Sequence, residues 1–163
     1  MKPLITTAVL TLIITFSANA QKTSSALSPV LSFYYNVKDA LVNSDANEAS
    51  SKAGGLVKTI NSIDLKTIAA AEQRAFGVIK DKLVFDANNI SETKNLEKQR
   101  AFFSSLSTNI YSLTKVVKLT DQVVYQAYCP MKKTFWLSKE PDIKNPYYGN
   151  QMLSCGKVND MLK

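Results

Sequence analysis

The sequence has no histidine at all, and it contains only two cysteines and one tryptophan. Without an imidazole, a Ser–His or Cys–His catalytic pair cannot form. The chain also lacks a glycine-rich phosphate-binding loop followed by Gly-Lys-Ser or Gly-Lys-Thr. Zinc is disfavoured, because its usual sites use four cysteine or histidine ligands and only two are present. These absences predict a protein that is not an enzyme.

The first 20 residues have the three parts of a signal peptide. Lys2 supplies the positive start, an almost uninterrupted apolar run extends from Leu4 to Phe16, and Ala18-Asn19-Ala20 matches the small-x-small cleavage pattern. The alternative, a transmembrane anchor, requires roughly 20 apolar residues, more than this run provides. We expect cleavage after Ala20, export to the periplasm without membrane insertion, and a compartment in which thiols can oxidise.

Strong clustering of charge is also missing. The formal net charge is +7, but the basic residues are scattered and their longest block is Lys132-Lys133. A positive balance attracts anionic surfaces. In an exported chain, however, scattered lysines indicate ordinary solvated surface charge, and we expect no nucleic-acid partner.

Four stretches of the sequence repeat apolar residues at helical spacing. Each begins at residues typical of a helix N-terminus, namely Ser28-Pro29, Asp45, Ser62 or Asp64, and Ser91. The first helix is expected to end near Asn43-Ser44 and the third at Asn88-Asn89. Gly54-Gly55 lies within the second stripe, where it either admits a close neighbouring helix or breaks the helix. Four amphipathic helices with short connections predict a mainly α fold, an antiparallel four-helix bundle.

The pattern changes after residue 122. Residues 123–129 and 134–137 are rich in β-branched and aromatic types and predict a short β-hairpin. Residues 138–150 contain prolines and glycine and predict an irregular loop. The last residues, KVNDMLK, are expected to add one helical turn. The predicted organisation is a signal peptide at 1–20, a flexible N-terminus at 21–27, and a single helical-bundle domain at 28–163 with a hairpin-and-loop cap at 122–163.

All sulfur-containing residues beyond the predicted signal peptide lie in this cap: Cys129, Met131, Met152, Cys155 and Met161. Thiolates and thioethers are soft ligands that suit Cu(I), and Ag(I) behaves similarly. Cys129 and Met131 are two residues apart and share a face if that segment is extended. Met152 and Cys155 are three apart and can converge in a turn. We predict these four residues as the metal ligands.

Two further residues are accessory candidates. Met161 adds a thioether in the C-terminal tail. Trp136 follows the hairpin turn, and an aromatic face there can attract a bound cation. For Trp136 we favour the alternative, in which the indole packs the hairpin against the helices.

The alternative to a metal site is a disulfide between Cys129 and Cys155, the usual fate of two cysteines in an exported protein. It would close a loop of about 25 residues and contribute roughly 3 kcal/mol in the chain-entropy model. The methionines would then be gap-filling apolar residues. Both readings place the two sulfurs close together, so a site that binds metal when reduced and closes when oxidised is also consistent with the sequence.

Several stretches carry a family resemblance: Asn95–Phe103, Tyr128–Met131, Trp136–Ser138, Lys144–Gly149, Met152-Leu153 and Cys155-Gly156. They resemble a bacterial family of domains of unknown function that occurs as small exported proteins and as the C-terminal extension of heavy-metal efflux periplasmic adaptors. Cys129-Pro130-Met131 also resembles a short metal-binding motif of some efflux adaptors, in which a histidine commonly follows; here the next residue is Lys132. The resemblance implies a helical domain linked to copper or silver handling, with an efflux adaptor or another metal-handling protein as partner.

The sequence therefore yields two hypotheses. The first is an exported Cu(I)- or Ag(I)-binding module that buffers the metal or transfers it to an efflux system. The second is a disulfide-stapled periplasmic interaction domain that holds no metal.

Overall fold

The computed structural model describes residues 25–163, so the predicted signal peptide at 1–20 and most of the predicted flexible segment at 21–27 lie outside the described residues. Residues 25–163 are mainly helical, with four α-helices followed by a small antiparallel sheet. The elements are α1 Ser28–Val42, α2 Ala46–Ser62, α3 Ala70–Glu92, α4 Leu96–Thr114, β1 Val124–Cys129, β2 Thr134–Ser138 and β3 Lys157–Leu162. Within residues 25–163, no helix has the length and hydropathy needed to cross a membrane.

The second helix begins where the sequence predicts. The carboxylate of Asp45 accepts a hydrogen bond from the backbone N–H of Glu48 at 2.8 Å, which satisfies one of the free donors of the first turn. The helix then continues through Gly54-Gly55 without a break. A Cβ built on Gly55 would lie 2.6 Å from a ring carbon of Phe33 in α1. The glycines therefore admit a close neighbouring helix. This confirms the first of the two predictions for Gly54-Gly55, and the predicted alternative of a helix break is wrong.

The predicted end of the third helix at Asn88-Asn89 and the predicted start of the fourth at Ser91 are both wrong. Helix α3 continues to Glu92, and its buried Ile90 extends the apolar stripe past the asparagines. Tertiary burial here outweighs the low helix propensity of asparagine. Helix α4 is capped instead by Asn95, whose side chain accepts from the N–H of Lys98 at 3.0 Å.

Two other predicted caps take different roles. Ser28 is the first residue of α1 rather than its cap, and its hydroxyl donates to the carbonyl of Leu119 at 2.6 Å. Asp64 caps a short 3-10 turn, Leu65–Thr67, and α3 begins three residues after that turn, at Ala70. Polar residues before an apolar stripe thus indicate roughly where a helix begins. They do not indicate which backbone group each polar side chain will bond.

Each helix packs against the next one in sequence, and α4 also packs against β2. Tyr34 of α1 joins these parts in the core. Its ring stacks on Phe103 of α4 with centroids 5.1 Å apart. Its hydroxyl lies 2.8 Å from the Ser107 hydroxyl and accepts the backbone N–H of Leu137 at 2.9 Å. A strand of the sheet is therefore hydrogen-bonded directly to the side chain of a helix residue.

The sheet has three strands in the order β2-β1-β3. The predicted hairpin is present, with Cys129 opposite Thr134 in the antiparallel pair of β1 and β2. The prediction of a helical turn for the last residues is wrong, because they form β3 against the other edge of β1, with Tyr128 opposite Lys157. The backbone N–H and C=O groups of β1 would otherwise lack partners on that side, and β3 satisfies them.

Candidate functional site

The two cysteines belong to separate tight turns. Cys129 is the last residue of β1 and is fully buried. The backbone N–H of Lys132 donates to the Cys129 Sγ at 3.4 Å and closes the turn of residues 129–132. Cys155 ends the second turn, in which its own N–H donates to the carbonyl of Met152 at 3.1 Å. Each turn therefore carries one cysteine and one methionine.

The structure brings the two cysteines together. The side-chain nitrogen of Asn145 lies 3.2 Å from the Cys129 Sγ and 2.6 Å from the carbonyl oxygen of Cys155. Burial raises the pKa of the Cys155 thiol, and the neighbouring Cys129 sulfur raises it further. Both are free thiols, so the disulfide considered from the sequence is not formed in this structure. Two segments that are distant in sequence nevertheless place their cysteines beside the same Asn145 side chain.

A buried asparagine, which the sulfur pattern of the sequence does not indicate, connects the two cysteines. The side-chain amide N–H group of Asn145 donates to the Cys129 Sγ at 3.2 Å and to the carbonyl of Cys155 at 2.6 Å. Its side-chain oxygen accepts the N–H of Tyr147 at 2.8 Å, and its backbone N–H donates to the carbonyl of Leu153 at 2.8 Å. The available signal was its position before Pro146 in a loop, where a side chain that bonds the backbone two residues on is common.

The loop that contains Asn145 is fastened to the helices by Arg100 of α4. The Arg100 Nε donates to the carbonyl of Pro146 at 2.9 Å, and its Nη2 donates to the carbonyl of Leu41 at 3.3 Å and to the Ser44 hydroxyl at 3.0 Å. Burial lowers the pKa of Arg100, and a guanidinium stays charged in proteins despite such a shift. Arg100 thus ties the loop to the start of α4 and the end of α1.

Gly149 closes the same loop in a conformation that requires glycine. Its φ is +56°, in the left-handed region. A Cβ at this position would lie 2.8 Å from the Arg100 Nη2 and 2.9 Å from the carbonyl oxygen of Val42. The loop can therefore approach the helices closely only because residue 149 has no side chain.

Trp136 is a packing residue. It is only 1% exposed, and its ring meets Tyr147 edge to face with centroids 6.1 Å apart. A Cβ on Gly156 would lie 2.7 Å from the Trp136 ring, so the indole fills the space beside the turn that carries Cys155. The Tyr147 hydroxyl donates to the carbonyl of Phe135, and burial raises the pKa of Tyr147 to about 12. The packing interpretation of Trp136 is the one that fits its environment.

The three methionines of the cap differ in their relation to the cysteines. Met131 is 61% exposed and Met152 is 37% exposed, and each lies in a turn with one cysteine. The expectation that Met131 shares a face with Cys129 is wrong, because residues 130–133 form a turn and not an extended segment. Met161 is opposite Tyr125 in the sheet, four residues along β1 from Cys129, or about 13 Å at the rise of a strand. That separation is too long for Met161 to act as an accessory ligand.

In the part of the chain that the structure describes, no group of three or more cysteine, aspartate, glutamate or histidine side chains could hold a metal ion. The cysteine pair supplies sulfur atoms, and the N–H groups of Lys132 and Asn145 point at the Cys129 sulfur as hydrogen-bond donors. Two thiolates with flexible thioethers nearby suit a soft monovalent cation, whereas Zn²⁺ or Mg²⁺ would lack most of the ligands they prefer.

A family model described as "Protein of unknown function (DUF3347)" matches residues 30–122. The matched region runs from the first turn of α1 through α4 and ends two residues before β1, so the cysteine-bearing sheet and loop follow it. No curated protein and no solved structure matches the chain significantly.

Proposed function

The chain belongs to the DUF3347 family of proteins of unknown function, and from that premise we propose that it is a metal-binding module for Cu(I) or Ag(I). In this proposal an antiparallel bundle of α1–α4 holds the cap at 122–163, and Cys129 and Cys155 bind the metal as thiolates. The protein works in the periplasm after its signal peptide is removed. It buffers the metal or passes it to a heavy-metal efflux adaptor or another metal-handling protein, and it is not an enzyme.

The observation that carries the proposal is that one side-chain nitrogen, that of Asn145, touches both the Cys129 sulfur and the Cys155 carbonyl, so two cysteines from separate turns of the cap lie side by side. Cu(I) prefers soft sulfur donors and accepts few of them. Cys129 is fully buried, and its sulfur already receives N–H groups from Lys132 and Asn145. A thiolate in that position keeps both hydrogen bonds, which become stronger when the acceptor is charged.

Met131 and Met152 supply the remaining donors in this proposal. Both side chains reach solvent from turns that also hold a cysteine. Methionine has three rotatable bonds and a polarisable thioether, so it can turn toward a bound ion without moving the backbone. Because the thioethers are exposed, a partner protein can approach the ion from their side, and ligand exchange with that partner then provides a route for transfer.

Competition for Cu(I) against a chelator of known affinity, in reducing and oxygen-free buffer, tests the proposal. The wild-type protein is expected to bind one Cu(I) per chain, and Cys129→Ser combined with Met152→Leu is expected to abolish tight binding. Met161→Leu is the matched control, since it removes an exposed thioether about 13 Å away along the sheet. Equal affinity of the wild type and the double variant would refute the proposal.

The proximity of the two cysteines also favours a second candidate, a disulfide-stapled interaction domain without metal. Sulfurs near enough to share an ion are near enough to oxidise. A thiol count on freshly purified, alkylation-protected protein separates the two. Two free thiols support the metal-binding function, and no free thiol together with the absence of Cu(I) binding after reduction supports the interaction domain.

A further inference from the structure

We infer that Asn145 is the positioning residue of the cysteine pair: its side-chain amide aligns Cys129 with Cys155 and remains hydrogen-bonded to the Cys129 sulfur when that sulfur binds a metal. The inference rests on the proposed metal-binding function for its second half. The first half concerns the metal-free protein and stands on geometry alone.

The orientation of the Asn145 amide is fixed by its partners. Its nitrogen meets two acceptors, the Cys129 Sγ at 3.2 Å and the carbonyl of Cys155 at 2.6 Å, while its oxygen meets the N–H of Tyr147 at 2.8 Å. Rotation of the amide by half a turn would place its oxygen against the Cys155 carbonyl and its nitrogen against an N–H. Both contacts would be repulsive, so the structure allows only the orientation that presents an N–H to the sulfur.

Asn145 is fully buried, and a buried amide costs free energy unless its polar atoms are paired. Closing the loop would need only the backbone bonds of Asn145 to Leu153 and Gly149 and the bond from Tyr147. The bond to the Cys129 sulfur adds a contact to the other segment of the pair. One side chain therefore spans the sulfur of one cysteine and the backbone of the other, which sets the distance and direction between the two.

The same geometry predicts an effect on a bound metal. An N–H group that points at a thiolate stabilises its negative charge and holds the direction of its lone pairs. Partners of this kind typically contribute 10- to 100-fold to metal affinity. An aspartate at this position would keep the shape of the side chain but replace the N–H by a second oxygen, which repels both the thiolate and the Cys155 carbonyl.

The metal-free arm of the test measures how fast oxidised glutathione closes the Cys129–Cys155 disulfide. In that reaction the two protein thiols lose their protons and two electrons to form one S–S bond, and one oxidised glutathione is reduced to two thiols. We expect Asn145→Asp to slow closure by at least about tenfold. Asn159→Asp is the matched control, since Asn159 donates its amide to Gln126 on the sheet rather than to a cysteine. Closure by Asn145→Asp at the wild-type rate would overturn the positioning role.

The metal arm compares the Cu(I) affinity and the thiolate-to-metal charge-transfer absorption of the same variants. We expect Asn145→Asp to bind Cu(I) 10- to 100-fold more weakly, with a shifted absorption band, and Asn159→Asp to match the wild type. Unchanged affinity and an unchanged band in Asn145→Asp would overturn the metal half of the inference. If Asn145→Asp does not unfold cooperatively, both measurements are made on Asn145→Ser, which removes the amide without adding charge. The same slower closure and weaker Cu(I) binding are then expected.

The two arms separate this inference from the proposed function. If the wild type binds no Cu(I) but Asn145→Asp still slows disulfide closure, the metal-binding function is wrong and the positioning role stands. If the wild type binds Cu(I) and Asn145→Asp changes neither the rate of closure nor the affinity, the function stands and the role of Asn145 is wrong.

Discussion

Arg100 donates its Nε–H to the carbonyl oxygen of Pro146 at 2.9 Å, and through this bond a helix residue holds the residue next to Asn145. Arg100 lies within the region matched by the family model, whereas Pro146 lies beyond it. The contact therefore joins the helical part of the domain to the loop that orders the cysteine pair. Stability of the cap and geometry of the site are expected to change together when it is removed.

Arg100→Lys is expected to lower the free energy of unfolding by about 1–3 kcal/mol, because a lysine cannot bond Pro146, Leu41 and Ser44 with one planar group. Urea denaturation measures the loss. The matched control is Arg74→Lys, since Arg74 is exposed on α3. An unfolding midpoint for Arg100→Lys equal to that of the control would show that the loop does not depend on the guanidinium.

Gly149→Ala and Gly77→Ala are expected to change stability in opposite directions. At Gly149, φ is +56° and a Cβ would meet the Arg100 Nη2 at 2.8 Å, so alanine should cost about 1–3 kcal/mol. Gly77 lies within α3, and a Cβ there would meet no atom within 4 Å apart from its chain neighbours and its own helix backbone, so alanine should stabilise by up to about 1 kcal/mol. Thermal unfolding of both variants provides the measurement. A stabilised Gly149→Ala would contradict the close approach of the loop to the helices.

The helices were largely predictable because their signals are local. The apolar stripe of α4 follows helical spacing, and Asp45 accepts the N–H three residues later. The boundary between α3 and α4 was not predictable in the same way. Ser91 has the chemistry of a cap, yet it lies inside a helix whose stripe continues to Ile90. Capping residue types show where a helix can begin, and burial decides where it does.

The candidate site was predictable only as a composition. The sulfur residues stand out in the sequence, and the structure places both cysteines beside Asn145. Asn145 could not be found that way, because its partners Cys129 and Cys155 are 16 and 10 residues away in sequence and meet it only through the fold. The strand β3 was missed for a similar reason: its formation depends on the free edge of β1, which no pattern within residues 157–162 records.

Oxidation is expected to close the cysteine pair and exclude the metal. Treatment with oxidised glutathione should remove both free thiols, stabilise the protein by roughly 3 kcal/mol, and eliminate Cu(I) binding until a reductant is added. Thiol titration, thermal unfolding and Cu(I) competition on the oxidised and reduced forms test these points. Cys129→Ser is the control, because it leaves Cys155 without its neighbour. Retention of both thiols after prolonged exposure to oxidised glutathione would mean that the sulfurs cannot adopt disulfide geometry.

The attachment of β3 to the helices is expected to depend on pH through Asp160. The Tyr111 hydroxyl of α4 donates to the Asp160 carboxylate at 2.6 Å. This bond is the main cause that lowers the pKa of Asp160, and the backbone N–H of Met161 adds to it. A carboxyl group whose pKa is lower in the folded state stabilises the fold above its unfolded pKa, near 4, and that contribution is lost as the pH falls through the folded value.

Tyr111→Phe should therefore unfold at a lower temperature than the wild type at pH 6–7, and the difference should shrink as the pH falls below about 4. Burial raises the pKa of Asp86, so protonation of Asp86 at low pH favours the folded state, opposite to the effect of Asp160. Asp86 is present in both the wild type and Tyr111→Phe, so its contribution cancels when the two are compared. The Asp160→Asn background supplies the control, since the amide cannot titrate and Tyr111→Phe should then have an effect independent of pH. Thermal unfolding of the four proteins from pH 2 to pH 7 gives the measurement. A difference between wild type and Tyr111→Phe that stays constant across this range would show that the hydroxyl does not favour the ionised form of Asp160.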